Sequence, residues 1–230
     1  MAGFHVHIYV AASISGIAGT SVHIAGYASP GQMVLFSAAG LLGGILPDID
    51  ADHSTSYRVA FALFSFLIAF LVMFGVARGA SLVEALLVWG AVALFLRYIL
   101  YYLVMRLTAH RGILHSIPAC GVFGLGAVAL MHILFAVDAY GAWMCGIFVA
   151  GGAMVHLLLD ELYSINLFAP GGVKRSFGSA LKLFSSNLPA TAGIYLALVI
   201  LWVSVPDYGE AFPAGFGETL LRAVAQTALP

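Results

Sequence analysis

Two aspartates close an apolar stretch at Leu46-Pro-Asp-Ile-Asp50. In an extended turn, side chains two residues apart point the same way, so Asp48 and Asp50 could share one metal ion or bridge two. The alternative is a solvated loop that only ends a helix. This pair is the first candidate for metal chemistry in the chain.

Two histidines flank a short polar turn at His110-Arg-Gly-Ile-Leu-His115. Gly112 permits a tight backbone there, so both imidazoles could converge on one ion. The alternative is a pair of histidines at the membrane interface with no shared ligand. His110 and His115 are therefore predicted metal ligands.

A histidine and an aspartate lie four residues apart in His156-Leu-Leu-Leu-Asp160. On a helix this spacing puts both on one face. They would be two metal ligands, or an aspartate that orients its histidine, or a purely structural pair. His7, at the start of the first apolar stretch, is a possible additional ligand, although a single histidine at an interface more often has no such role.

Two arginines are candidates for binding a substrate phosphate. Arg97 lies inside an apolar stretch and shares a helix face with Tyr101. Its forked guanidinium suits phosphate, but it could instead snorkel to the interface or pair with a buried carboxylate. Arg111, between the two histidines, is a similar candidate that could serve only to set membrane orientation.

Composition determines which kind of fold must position these residues. The chain has 230 residues, of which 62% are hydrophobic and 8% charged, against about 25% charged in an ordinary soluble domain. A soluble fold could not hide so much apolar surface, so the chain is predicted to be an integral membrane protein. The net charge of −1 gives no basic field for nucleic acid, so no nucleic-acid partner is expected.

A membrane-spanning helix needs about 20 mostly apolar residues. The fold class predicted is an all-α polytopic helical bundle with about seven transmembrane or partly spanning helices. They are predicted at 7–27, 31–47, 58–77, 82–105, 113–135, 142–162 and 188–205. We expect one membrane-embedded domain over 1–205 and a C-terminal tail over 206–230, with a possible short surface helix at 217–228.

Passing these segments alternately through the bilayer sorts the charged residues between its two sides. Six Lys and Arg fall on the side that holds the N-terminus and two on the other, which predicts a cytoplasmic N-terminus and an external C-terminus. Most histidines fall on the N-terminal side as well: His5, His7, His53, His110, His115 and His156. Ionisable groups at membrane depth are costly and are usually partnered or functional, so this convergence indicates one interfacial site.

These motifs together resemble the YdjM-like family, the LexA-regulated, membrane-bound metal-dependent hydrolases. The family pattern is an early His, L-P-D-x-D, H-R-G-x-x-H-S, H-x-x-x-D and a Gly-rich loop. The chain carries the pattern in order over roughly 7–175: His7, Leu46 to Asp50, His110 to Ser116, His156 to Asp160, and Pro170 to Gly172. The family typically continues D-x-D-H, whereas Ala51 and Asp52 precede His53 here, so the choice among His5, His7 and His53 stays open.

The resemblance implies a bacterial-type inner (plasma) membrane hydrolase, distantly similar to zinc-dependent phospholipases C. The expected site holds a divalent metal, Zn²⁺ or alternatively Mn²⁺, in two copies. Its predicted ligands are Asp48, Asp50, His110, His115, His156 and Asp160, with His7 as a possible seventh. The ion would acidify a water molecule for hydrolysis. An interfacial site suggests membrane lipid as partner and a phosphoester of a lipid or lipid-linked molecule as substrate.

Two other functions use the same residue types. A divalent metal transporter would place them near the bilayer midplane on broken helices in repeated halves, and no repeat is visible. A non-catalytic membrane protein with a structural metal would close the coordination shell with protein ligands, whereas a catalytic site leaves a position open. The number of protein ligands around the ion therefore distinguishes a catalytic site from a structural one.

Overall fold

The computed structural model describes residues 3–50, 55–76, 79–100, 102, 113–164, 181–185, 187–212 and 214–228. Within these ranges the chain is helical and has no strand, which confirms the all-α prediction. Nine α-helices lie within these ranges: α1 (Phe4–Ile24), α2 (Pro30–Gly43), α3 (Thr55–Val76), α4 (Leu82–Leu94), α5 (Ile117–Ala129), α6 (Ala139–Ser164), α7 (Leu188–Ser204), α8 (Tyr208–Ala211) and α9 (Phe216–Ala228). A 3₁₀ turn, Leu46–Asp50, follows α2, and π-helical turns extend α4 over Phe95–Leu100 and α5 over Leu130–Leu134.

Polar side chains set where several helices begin. Ser29 with Gln32, and Ser81 with Glu84, form capping boxes that satisfy free N–H groups at the starts of α2 and α4. The Ser116 hydroxyl accepts from the Ala119 N–H at the start of α5. The chain reverses direction where these small polar residues interrupt the apolar stretches.

Four continuous segments are long and apolar enough to cross a membrane: Pro30–Asp48, Leu82–Ile99, Ile117–Leu134 and Ala139–Ser164. A fifth span is formed if α7 and the segment Tyr208–Gln226, which is bent from it by 53°, count as one. All seven predicted segments contain helices, but length and composition support four or five spans among the described residues. The chain is therefore a helical membrane protein.

The chain divides into two compact units, Met1–Pro47 with His115–Pro230, and Asp48–Leu114. In the first unit, α6 packs against α1, α2 and α5, and α7 packs against α5. Phe36 of α2 is fully buried, and its ring centroid lies 5.6 Å from that of Phe148 of α6. The prediction of one functional domain over 1–205 stays a prediction.

Aromatic residues join the C-terminal segment to the first unit at one end of its helices. The Tyr140 hydroxyl donates to the Tyr27 carbonyl at 2.7 Å, and the Trp143 indole N–H donates to the Pro206 carbonyl at 3.0 Å. The Phe216 ring meets the Tyr27 ring edge to face, with centroids 5.2 Å apart. Because these bonds fix α8 and α9 on the helical core, the segment after Pro206 is a packed part of this unit.

The second unit contains α3, α4 and the π-helical turn after α4. Trp89 of α4 packs between Phe66 and Phe70 of α3, at centroid distances of 5.5 and 5.3 Å. Arg97 lies in the π-helical turn, half-buried, with its guanidinium carbon 5.9 Å from the centroid of the Tyr98 ring. Short π-helical turns are rare and often occur at functional positions.

Candidate metal centre

Four helix ends of the first unit meet at the end opposite the aromatic contacts of Tyr27, Tyr140 and Phe216. His7 lies in the first turn of α1, His115 lies two residues before α5, and His156 and Asp160 lie near the end of α6. Gly44 follows the last residue of α2 at the same place. Because neighbouring helices alternate in direction, residues far apart in sequence arrive at one level.

The four ionisable side chains of this cluster are almost completely removed from solvent. The exposed fractions are 2% for His7, 4% for His115, 0% for His156 and 6% for Asp160. A buried carboxylate is costly unless nearby donors or cations compensate its charge. The nearest candidate donor is His7, whose Nε2 lies 3.3 Å from Oδ1 of Asp160, and a bound cation would compensate the charge as well.

Each imidazole presents Nε2 to the Asp160 carboxylate. Nε2 of His7 lies 3.3 Å from Oδ1, whereas Nε2 of His156 and of His115 lie 3.9 and 4.0 Å from Oδ2. His7, His156 and Asp160 form a group in which one ligand atom from each residue lies within 4.8 Å of the others, and His115 is not part of this group. Three ligands therefore converge, and a fourth residue approaches the same carboxylate.

The orientation of the rings is set by neighbours. The rings of His7 and His156 stack with centroids 3.7 Å apart and an interplanar angle of 11°. Nδ1 of His156 donates to the Gly44 carbonyl at 2.8 Å, and because a carbonyl only accepts, this bond puts the proton of a neutral His156 on Nδ1. Nε2 of His156 is then left with its lone pair, which is the form that binds a metal.

The distances between the ligand atoms are close to those of a zinc-type shell, and the nearly parallel rings of His7 and His156 would have to tilt apart for both in-plane lone pairs to point at one ion. With metal–ligand bonds of about 2.0–2.1 Å, the edges of a tetrahedral ligand shell are about 3.3 Å long. The three Nε2-to-carboxylate distances of 3.3, 3.9 and 4.0 Å are close to that edge or slightly longer. In addition, the buried Nδ1 of His7 has no hydrogen-bond partner among the described residues, so His7 depends on Asp160 and on ring packing for its position. Imidazole and carboxylate donors suit Zn²⁺ or Mn²⁺.

The two remaining histidines of the sequence, His23 and His132, have local contacts instead. Nδ1 of His23, at the end of α1, donates to the Ala28 carbonyl at 2.6 Å. Nδ1 of His132, in the π-helical turn after α5, donates to the Val137 carbonyl at 2.9 Å. Each bond closes a turn within five residues, so these histidines stabilise loops and do not gather into a cluster.

The remaining predicted site residues fall in the sequence range of the second unit, Asp48–Leu114. Asp48 begins the second unit, one residue after the buried Pro47, and Arg97 belongs to that unit. The structure describes the backbone of Asp50 but not its side chain, and His110 and Arg111 lie outside the described residues. Their roles as ligands or phosphate-binding residues stay predictions.

One feature of the site was not predicted from the sequence. The Gly44 carbonyl orients His156, and a backbone acceptor leaves no signal in residue type. Glu161, next to Asp160 in sequence, is also buried in an apolar helix. The sequence placed it on the N-terminal side of the membrane but did not identify it as a ligand.

Comparison with known proteins supplies the family. The family model of the YdjM inner membrane protein matches residues 1–212. No curated protein and no solved structure matches the chain significantly. The match includes His7, His115, His156 and Asp160, and it extends over most of the sequence. The chain therefore belongs to the YdjM inner membrane protein family.

Proposed function

We propose that the protein is a membrane-embedded metal-dependent hydrolase acting on a phosphoester of a lipid or lipid-linked substrate. The observation that carries this proposal is the buried group of two imidazoles and one carboxylate, His7, His156 and Asp160. Three converging protein ligands are typical of catalytic zinc sites, which leave one position for water or substrate, whereas structural sites have four protein ligands. A site with these three ligands alone would leave that position open, which supports an enzyme over a structural metal protein.

The chain's own residues would hold and orient the ion. His7, His156 and Asp160 would bind it, and the Gly44 carbonyl would keep Nε2 of His156 available. His115 would be an additional ligand or a proton donor to the carboxylate. When bound, a Zn²⁺ or Mn²⁺ ion supplies Lewis-acid activation of water and of a phosphoryl oxygen. A second ion would depend on Asp48, Asp50 and His110, as expected from the sequence.

A lipid-linked phosphoester agrees with the position of this group near helix ends in an apolar bundle. Such a substrate has an acyl or isoprenoid part for the membrane and an anionic group for the interface. Arg97 and Arg111 are the proposed phosphate contacts, because a guanidinium matches the geometry of phosphate oxygens. The arginines would then stabilise the charge that develops during the displacement.

We propose that this site faces the cytoplasm, because six of the Lys and Arg assigned to loops fall on the side of the N-terminus and two on the other. Reporter fusions at the two termini test the orientation. Activity of a cytoplasmic reporter at the N-terminus and of a periplasmic reporter at the C-terminus is the expected result. The reverse result, an external N-terminus and a cytoplasmic C-terminus, would place the site at the outer face. Both termini on the same side would mean that the number of spans is even and contradict the predicted topology.

The activity is tested with purified protein, metal analysis and a panel of lipid and soluble phosphoesters. Wild-type protein should contain Zn²⁺ or Mn²⁺ and hydrolyse at least one lipid phosphoester. His115→Ala should remove metal and activity together. Arg97→Ala should retain metal and lower kcat/KM by roughly 100-fold, since it contributes to the transition state without holding the ion.

Arg222→Ala is the matched control for the loss of an arginine. Arg222 is exposed on α9, and its guanidinium nitrogen lies 3.9 Å from a carboxylate oxygen of Glu218. Because such exposed ion pairs contribute little, its removal should leave metal content and turnover unchanged. Full metal occupancy with four protein ligands and no turnover across the panel would instead identify a structural metal protein. Full occupancy with turnover of only carboxylic esters or amides would keep the hydrolase and change the substrate class.

A further inference from the structure

We propose that Gly152 is a positioning residue for His156, because its missing side chain lets α2 and α6 touch and so delivers the Gly44 carbonyl to Nδ1 of His156. The inference rests on the proposed metal site and adds the element that sets the geometry of one of its ligands. It concerns backbone contact between two helices, and it can be tested in the metal-free protein.

The backbones of α2 and α6 are in direct contact at Gly152. A Cβ at this position would overlap with the carbonyl oxygen of Gly40 and would lie 2.8 Å from the Gly44 nitrogen. A Cβ on Gly43 would likewise overlap with the Val149 carbonyl. Because these neighbours are backbone atoms, which cannot rotate away as a side chain can, any larger residue must push the helices apart.

This contact lies one helical turn from the metal cluster. Residue 152 precedes His156 by four positions, and residue 40 precedes Gly44 by four, so each step is about 6 Å along its helix. Gly44 directly follows the last residue of α2, where the final carbonyls have no partner within the helix. The His156 imidazole supplies that partner at 2.8 Å, which it can do only while the helices remain in contact.

Helix α1, which carries His7, also packs closely against the glycines of α2. A Cβ on Gly44 would overlap with the Ala11 side chain, and a Cβ on Gly40 would overlap with the Ser15 hydroxyl. Ala11 lies one turn after His7 on α1. The separation of α1, α2 and α6 at these small residues therefore determines how His7 and His156 stack at 3.7 Å.

A methyl group at residue 152 should have a specific effect on the site. If α2 moves away, the bond from Nδ1 of His156 to Gly44 weakens, and the proton is free to move to Nε2. A protonated Nε2 cannot bind a metal, so metal affinity should fall. The outer partners of metal-binding histidines typically contribute 10- to 100-fold in affinity.

The experiment compares Gly152→Ala with Gly151→Ala in full-length protein in detergent. Gly151 is the neighbouring residue of the same helix, is exposed, and would have no atom within 4 Å of a new Cβ. Zn²⁺ affinity is measured by chelator competition. The tautomer of His156 is read from ¹⁵N-histidine NMR of the metal-free protein at alkaline pH, where imidazole is neutral.

We expect wild-type protein and Gly151→Ala to carry the His156 proton on Nδ1 and to bind Zn²⁺ equally well. Gly152→Ala should bind Zn²⁺ at least about 10-fold more weakly and show protonation of Nε2. Unchanged affinity and tautomer in Gly152→Ala, or equal losses in both variants, would overturn the proposal. If Gly152→Ala does not fold, the tautomer of His156 in the wild-type protein still tests the proposal. A proton on Nε2 in the wild type would contradict the bond from Nδ1 to the Gly44 carbonyl.

Failure of this inference and failure of the proposed function have different signatures. A wild-type protein that binds Zn²⁺ but hydrolyses nothing contradicts the hydrolase, while the comparison of the glycine variants still stands. A wild-type hydrolase whose Gly152→Ala variant keeps its metal affinity contradicts the positioning role alone.

Discussion

Replacing Asp160 with asparagine should lower the affinity for Zn²⁺ or Mn²⁺ by more than about 100-fold and abolish metal-dependent hydrolysis. Loss of an outer partner alone costs roughly 10- to 100-fold, and Asp160 itself lies in the converging group. Its two oxygens face His7 on one side and His156 with His115 on the other. Asparagine removes the charge and directs an N–H₂ group at an imidazole. Metal content after dialysis and chelator competition measure the loss.

Asp138→Asn is the matched control, since it makes the same substitution just before the opposite end of α6. Asp138 is exposed, and its Oδ2 accepts from the Gly141 N–H at 3.2 Å. An asparagine oxygen can accept the same bond, so metal affinity and turnover should be unchanged. A wild-type metal content in Asp160→Asn would contradict the assignment of the site to this cluster.

His7→Ala should lower metal affinity by a comparable factor and decide between the two histidines at the start of α1. His7 is buried, stacks on His156 and places Nε2 3.3 Å from Asp160. Removing it deletes one of three converging ligands, which costs more than the roughly 10- to 100-fold of an outer partner. The change in the melting temperature of the metal-free protein separates ligand loss from the effect of the small cavity.

His5→Ala is the control for this experiment. His5 lies two residues earlier on the same helix, is exposed, and stacks loosely on Tyr9 with centroids 6.5 Å apart. Its removal should leave metal affinity unchanged. Greater metal loss in His5→Ala than in His7→Ala would reverse the assignment.

The helical fold was predictable because lipid imposes a simple rule on sequence. Each spanning segment must be apolar over about 20 residues, and small polar residues interrupt the stretches where the chain reverses. The sequence could not predict the π-helical turn at Phe95–Leu100 or the bend of 53° after α7. These depend on which neighbours compete for the backbone and on packing at helix ends, and neither is visible in a local pattern.

The candidate site was predictable in part, and for a physical reason. The spacing of His156 and Asp160 determines that they share a helix face, whatever the rest of the fold does. His7 was a weaker prediction, because a single histidine has no internal spacing to support it. Its proximity to Asp160 depends on how α1 packs against α6, which is tertiary information.

The role of glycine in this bundle was predictable only in general terms. The small residues of α1 and α2 are of the type that allows close helix approach in lipid. Which glycines touch, and that Gly152 of α6 is among them, follows from the register between helices. Gly151 has the same residue type and no contact, so composition alone cannot distinguish the two.

The indole of Trp143 provides an optical probe that is spatially separate from the metal ligands. Its ring lies 5.9 Å from that of Trp202, and its N–H is held by the Pro206 carbonyl. Along α6, thirteen residues separate it from His156, which is about 20 Å. Zn²⁺ has a filled d shell and does not absorb in the near-ultraviolet range of indole emission. In a Trp89→Phe variant, which removes the third indole of the chain, emission from this pair should therefore report the packing of the C-terminal segment and remain constant during a zinc titration. A change in emission on chelation would mean that metal loss loosens α6 over its whole length.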